Sequence, residues 1–290
     1  MTDLRGLGTA LITPFKEDGS VDFDALRRLL DIQLAGGVDY IVVLGTTGEA
    51  VTMSEAERHA VRRIILDYAA GKLPLVLGVG GNNTAAVCET LRTDDLTGFS
   101  AILSVCPYYN KPSQEGLFRH FCAVAEASPL PVILYNVPGR TGVNLLPETV
   151  MRIFHAAPQR ILGVKEASGN LEQIKHLIDL AKDTSLLVIS GDDGITAEIM
   201  QAGGAGLISV LSNAYPKQAG RIVHEADAAL QAELAPLIAL LFKEGNPAGI
   251  KTVLAQQGVI KNVLRLPLVP NSEAVQSAIN TFRVTNMGEI

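Results

Sequence analysis

Eight short apolar runs, each followed by a helical pattern, predict a (β/α)8 barrel, the TIM-barrel class of α/β fold, over residues 1–214. A helical extension is expected to follow over 215–290. Three observations carry this reading. The runs are almost continuously apolar, as strands covered by helices on a parallel sheet must be. Their spacing is that of repeated βα units, and eight such units close on themselves. The competing architecture, an open doubly wound sheet, would carry G-x-G-x-x-G, and Gly78-Val79-Gly80-Gly81-Asn82-Asn83 breaks that fingerprint.

In chain order, the first run is Leu7 to Phe15, and Asp22 then caps a helix that stops at Gly36-Gly37. The second run, Ile41 to Glu49, closes in Gly45-Thr46-Thr47-Gly48-Glu49. Ser54-Glu55-Ala56-Glu57 reads as a capping box, in which serine and glutamate satisfy each other's free amides, and opens a helix ending near Gly71. The remaining runs are Leu75 to Gly81, Ala101 to Tyr109, Pro131 to Pro138, Ile161 to Ser168, Leu186 to Asp193 and Gly206 to Asn213. Beyond Asn213 the pattern is helical, with one long stretch from about Lys217 to Glu244 and another inside Ala248 to Gly258. That tail is too small and continuous for a second domain, so it is expected to pack on the barrel.

Composition narrows the function. With 290 residues, 48% of them hydrophobic, and 27 glycines, the chain can form one large core with tight turns. A net charge of -6 without a basic run argues against nucleic-acid binding, which needs a clustered positive surface. The five histidines are scattered and show no ligand spacing, which disfavours a metal site. No G-x-S-x-G elbow supports a serine hydrolase. Cys88, Cys106 and Cys122 fit no C-x-x-C pattern and read as reduced packing thiols. Met1 to Gly6 lacks a signal-peptide pattern and no apolar run reaches membrane-spanning length, so a soluble cytoplasmic protein is expected.

In a barrel the site is built where the strands end, and these ends are rich in functional groups. Lys165 sits inside the apolar run Ile161-Leu162-Gly163-Val164-Lys165-Glu166-Ala167-Ser168. Desolvation disfavours an ammonium there, so the amine is available as a neutral nucleophile for imine formation. Read alone, the same residue serves equally as a strand-end lysine whose head reaches water along its stem. The threonine turn can hold a carboxylate, or be a simple loop; Tyr108-Tyr109 can transfer protons, or merely pack. Asp192-Asp193 reads as a cap or loop pair. Together with Tyr135 and Arg140, the set describes Schiff-base chemistry on an α-keto acid, the arginine serving a second carboxylate.

These motifs resemble the pyruvate-dependent class I aldolases of the dihydrodipicolinate synthase and N-acetylneuraminate lyase family. The similarity runs from Gly8-Thr9-Ala10 and Thr13-Pro14-Phe15 to Asn246-Pro247 and Lys251. Within it, Tyr135-Asn136-Val137-Pro138-Gly139-Arg140-Thr141 and Gly45-Thr46-Thr47-Gly48-Glu49 are similar to the synthase branch, whereas the lyases usually carry Gly-Ser-Thr-Gly-Glu.

The resemblance implies that Lys165 forms the imine with pyruvate, that Thr46 and Thr47 hold the pyruvate carboxylate, and that Tyr135 is the general acid and base. It implies a proton relay of Thr46, Tyr135 and Tyr109, with the second tyrosine lent by a neighbouring subunit. Arg140 would bind L-aspartate 4-semialdehyde, and Gly191 and Ile208 would line the pocket through their backbones. No cofactor is implied, and the expected assembly is a homotetramer, a dimer of dimers. The implied reaction yields 4-hydroxy-tetrahydrodipicolinate on the way to diaminopimelate and lysine. Lysine-inhibited members carry serine, histidine and glutamate where this chain has Ala50, Glu55 and Ala86, although Tyr108 and Asn82 match. Weak or absent feedback by lysine is therefore expected. Two rival readings are an aldolase acting on a sugar acid or hydroxy-oxo acid, and a catalytically silent pyruvate-binding barrel. Retention of Lys165, Tyr109, Tyr135 and both threonines argues against the second.

Overall fold

Strands buried on both faces must alternate between two apolar environments, and this chain provides both in a computed structural model that describes residues 3–69 and 71–282. The strands are β1 (Gly6–Ala10), β2 (Tyr40–Val43), β3 (Leu75–Gly78), β4 (Ala101–Val105), β5 (Val132–Asn136), β6 (Ile161–Glu166), β7 (Leu187–Ser190) and β8 (Gly206–Ser209). They pair in parallel and in sequence order, and β8 returns to β1 with Gly206 opposite Gly6, closing the barrel. One face of the strands fills the interior with Tyr40, Val42, Val76, Leu103, Ile133 and Ile208. The other packs against the surrounding helices. The barrel floor is filled by Tyr40, whose ring would lie 2.2 Å from a Cβ at Gly8, so only glycine fits there.

The helices are α1 (Phe23–Gly36), α2 (Glu55–Ala69), α3 (Thr84–Thr93), α4 (Gln114–Ala127), α5 (Pro138–Thr141), α6 (Pro147–Ala156), α7 (Leu171–Ala181), α8 (Thr196–Gln201), α9 (Pro216–His224), α10 (Ala228–Phe242), α11 (Ala248–Gln256) and α12 (Glu273–Thr281). The Asp22 carboxylate accepts the Ala25 amide at 3.0 Å and opens α1, which Gly37 ends in the left-handed region. The capping box is present in full: the Ser54 amide donates to Glu57 at 2.9 Å, and the Glu57 amide donates to the Ser54 hydroxyl at 3.2 Å.

Two expectations need correction. The apolar runs are longer than the strands, because each run continues into the loop above its strand. β2 stops at Val43, and Leu44, at φ 56°, turns the chain away before the threonines. The long helical stretch from Lys217 to Glu244 is two helices. Ala226 takes φ 49°, and Asp227 then caps a new helix by accepting the Leu230 amide at 2.9 Å. The first of the two, α9, packs against β1, β8 and α1. Beyond it, α10, α11 and α12 pack on one another. Residues 283–290 of the expected extension lie outside the described residues.

Candidate active site

The pairing register of three strands places the central groups. Tyr135 on β5, Lys165 on β6 and Ile189 on β7 are aligned neighbours near the C-terminal ends of their strands. The Lys165 ammonium nitrogen lies 4.4 Å from the centre of the Tyr135 ring. Both residues are only 6% exposed, so nearly all of the lysine side chain is enclosed. Among the described residues no carboxylate pairs with Lys165. Gly191, just beyond β7, lets the backbone approach: a Cβ there would lie 3.0 Å from Cε of Lys165. Ile208 on β8 is buried in the same interior cluster as Tyr135 and Ile189.

Directly behind this pair, on the outer face of the strands, Asn136 stands opposite Glu166. The Asn136 side chain donates to both Glu166 carboxylate oxygens at 3.1 and 3.0 Å, while Ser168 and Gln173 donate to the same carboxylate. Burial pushes the Glu166 carboxyl up against these donors. Cys106, at the end of β4, is fully buried, and burial followed by the Glu166 charge pushes its thiol up, which closes thiolate chemistry to it. Cys88, Cys106 and Cys122 are all free thiols.

The threonine turn follows β2 as a single 3-10 turn, Thr46–Gly48. Its internal bonds run from the Gly48 amide to Gly45 at 3.1 Å and from the Glu49 amide to Thr46 at 3.2 Å. Among the described residues the Thr46 and Thr47 amides make no hydrogen bond, as the first amides of any such turn are left free. Thr46 is exposed, whereas Thr47 is buried and its hydroxyl accepts from the Asn246 side-chain amide at 2.9 Å. That bond leaves the Thr47 hydroxyl proton free to be donated to an anion.

Arg140 is exposed on α5, and its guanidinium donates to the Asn246 carbonyl at 3.3 Å. It lines a cleft of about 780 Å3 with Tyr108, Tyr109, Lys111 and Thr141, a cleft that Lys165 does not line. Tyr109 is 88% exposed and its backbone sits at φ 75°, a conformation that a tyrosine adopts only under constraint. Its ring therefore projects from this chain's surface. Among the described residues no hydrogen bond joins Thr46, Tyr109 and Tyr135. The Asn82 side chain donates to the Tyr108 carbonyl at 3.2 Å, so the two residues are neighbours.

Sequence reasoning gave no role to Asn246, Glu49 or Lys251, all of which reach the back of the threonine turn. Glu49 is 2% exposed and Lys251 is fully buried, and the two form an ion pair. Burial pushes the Lys251 ammonium down to about 8, against the pull of Glu49. The signal that could have found them is an unexplained charge in the apolar helix Ala248–Gln256.

Comparison with known proteins places this geometry. The model of the dihydrodipicolinate synthetase family matches residues 3–282. The 4-hydroxy-tetrahydrodipicolinate synthase of Phocaeicola vulgatus is 48% identical, over 98% of each chain. The crystal structure of dihydrodipicolinate synthase from Thermotoga maritima is similar with a TM-score of 0.91 at 40% identity, covering 96% of this chain and 97% of that one. The chloride-inhibited dihydrodipicolinate synthase from Acinetobacter baumannii, complexed with pyruvate, has a TM-score of 0.91 at 39% identity over the same shares.

Proposed function

The chain belongs to the dihydrodipicolinate synthetase family, and from that premise we propose that it condenses pyruvate with L-aspartate 4-semialdehyde to 4-hydroxy-tetrahydrodipicolinate through a Schiff base on Lys165. The observation that carries this reading is the Lys165 nitrogen held over the Tyr135 ring at 4.4 Å near the C-terminal end of its strand, on a residue that is buried and, among the described residues, without a counter-ion. The Lys165 amine adds to C2 of pyruvate, and the carbinolamine loses water to give the imine. Loss of a C3 proton forms the enamine, whose C3 attacks the aldehyde carbon as that oxygen takes up a proton. The substrate's own amine then adds to the imine carbon, closes the ring and expels the Lys165 amine. In this reading Tyr135 takes and returns these protons.

The free Thr46 and Thr47 amides and the Thr47 hydroxyl receive the pyruvate carboxylate. Arg140 receives the carboxylate of the aldehyde, for which a planar guanidinium offers paired donors. Gly191 and Ile208 close the pocket behind the imine. The relay of Thr46, Tyr135 and Tyr109 requires an aromatic ring from outside the chain, and the outward Tyr109 suits a ring exchanged between two subunits. A homotetramer built as a dimer of dimers follows the same reading, as does a cytoplasmic location. Among the described residues no helix is long and apolar enough to cross a membrane. With Ala50, Glu55 and Ala86 at the positions noted above, millimolar lysine leaves the activity largely intact; an assay showing strong inhibition refutes this.

Incubation with pyruvate and borohydride, followed by peptide mass mapping, tests the whole. A reduced adduct on Lys165, absent from Lys165→Ala, is expected, together with turnover of the semialdehyde. An adduct without that turnover points to another acceptor aldehyde. No adduct on folded protein refutes the Schiff base.

A further inference from the structure

We propose that the buried Glu49–Lys251 pair is a positioning device through which the helical extension fixes the Thr46–Thr47 turn as the pyruvate carboxylate site, an inference that rests on the condensation reading above. Glu49 is the residue that ends the turn. Its amide closes the turn on Thr46, and its backbone sits at φ 52°, a region that a glutamate keeps only when its surroundings hold it. The holding contacts come from far along the chain. One carboxylate oxygen accepts the Arg265 amide at 3.1 Å and the other meets Lys251 of α11. Lys251 is fixed in turn, donating to the Val263 carbonyl at 3.0 Å with its nitrogen 4.2 Å from the centre of the Phe15 ring.

A second strut lies five residues upstream of Lys251, where Asn246 donates to the Thr47 hydroxyl. From the barrel side, the Thr13 hydroxyl donates to the Gly48 carbonyl at 2.7 Å. The turn is therefore gripped at Thr47, Gly48 and Glu49, while the Thr46 and Thr47 amides stay free. Without the carboxylate anchor, Glu49 is free to relax toward an ordinary backbone conformation, which turns those two amides away from the place of the bound carboxylate. A buried ion pair has no general advantage in stability over an apolar filling of the same shape. What it adds here is a fixed distance between the turn and the extension.

The test is steady-state kinetics and borohydride trapping at graded pyruvate on Glu49→Ala and Glu49→Gln, with melting temperatures taken in parallel. Glu49→Ala is expected to raise half-saturating pyruvate about tenfold or more while the KM for the aldehyde stays within about twofold. Glu49→Gln keeps an oxygen for the Arg265 amide and is expected to recover half-saturation to within about threefold of the parent. Folded Glu49→Ala with unchanged half-saturation for pyruvate, or with both substrates weakened equally, overturns the proposal. Should Glu49→Ala fail to fold, the double variant Glu49→Ala with Lys251→Met, which leaves neither charge of the pair buried alone, carries the test on the same terms. Parent protein that traps no pyruvate refutes the condensation reading instead, before any variant is compared.

Discussion

Two buried lysines in this molecule stand over aromatic rings at nearly the same distance, and their surroundings differ in one respect. Lys165 lies 4.4 Å from the Tyr135 ring and Lys251 lies 4.2 Å from the Phe15 ring. Lys251 has the Glu49 carboxylate beside it and a carbonyl to donate to. Lys165 has neither among the described residues. Lys251 is fixed by its buried counter-ion and belongs to the framework behind the threonine turn. Lys165, under the condensation reading, is the amine that attacks a carbonyl. Burial alone therefore does not mark a nucleophile.

The contrast breaks first at Lys165. Lys165→Ala is expected to lower kcat by about 10^4-fold or more, as loss of a covalent nucleophile does, and to change the melting temperature little, since no ion pair is lost. Retention of a tenth of the activity would sink the assignment. The opposite pattern is expected of Lys251→Met. Removing that cation leaves the buried Glu49 carboxylate, among the described residues, with only the Arg265 amide as partner, at a cost of roughly 3–5 kcal/mol in stability. Thermal unfolding reads this directly, and a variant that melts with the parent shows that the two lysines differ less than their surroundings suggest. Tyr135→Phe keeps the ring over Lys165 and removes the phenol. It should lower turnover by about a hundredfold or more while borohydride still traps the pyruvate adduct. Undiminished turnover would reduce Tyr135 to a wall of the pocket.

How much of this was legible in the sequence depends on how local each signal is. The eight strands, the Asp22 cap and the Ser54 capping box were readable because their partners lie within a few residues. Strand ends were over-read because apolar residues such as Leu44 continue into the mouth, and only the φ of 56° there ends the strand. The break before α10 hangs on a single residue, Ala226, whose left-handed backbone the composition does not announce. Lys165 was legible as a charge inside an apolar strand. The pairing of Asn246 with Thr47, 199 residues apart, was not, because it exists only once the barrel has closed and the extension has docked. The exposed ring of Tyr109 is a related case: its position was readable, but its 88% exposure was not.

A second cation stands at the Phe15 ring. Arg265 lies 4.5 Å from the Phe15 ring centre, so Phe15 carries both Lys251 and Arg265. Its partner Glu57 is less enclosed than Glu49: the arginine and glutamate side chains are 18% and 31% exposed. The Arg265 hydrogen bond holds the Glu57 carboxyl down to about 2, below the ordinary value of 4.5. A carboxylate whose folded pKa is lowered stabilises the fold above its unfolded pKa, and that contribution is lost as the pH falls from about 4.5 to about 2. Partial exposure and screening limit the effect to about 1 kcal/mol or less. Glu57→Gln should therefore lower stability slightly at neutral pH and converge with the parent as the pH approaches 2. The gap should also shrink in high salt. Unfolding curves of the two proteins at pH 7, 4 and 2.5 decide the matter, and a constant gap across that range would show that Glu57 acts through packing and not through its charge.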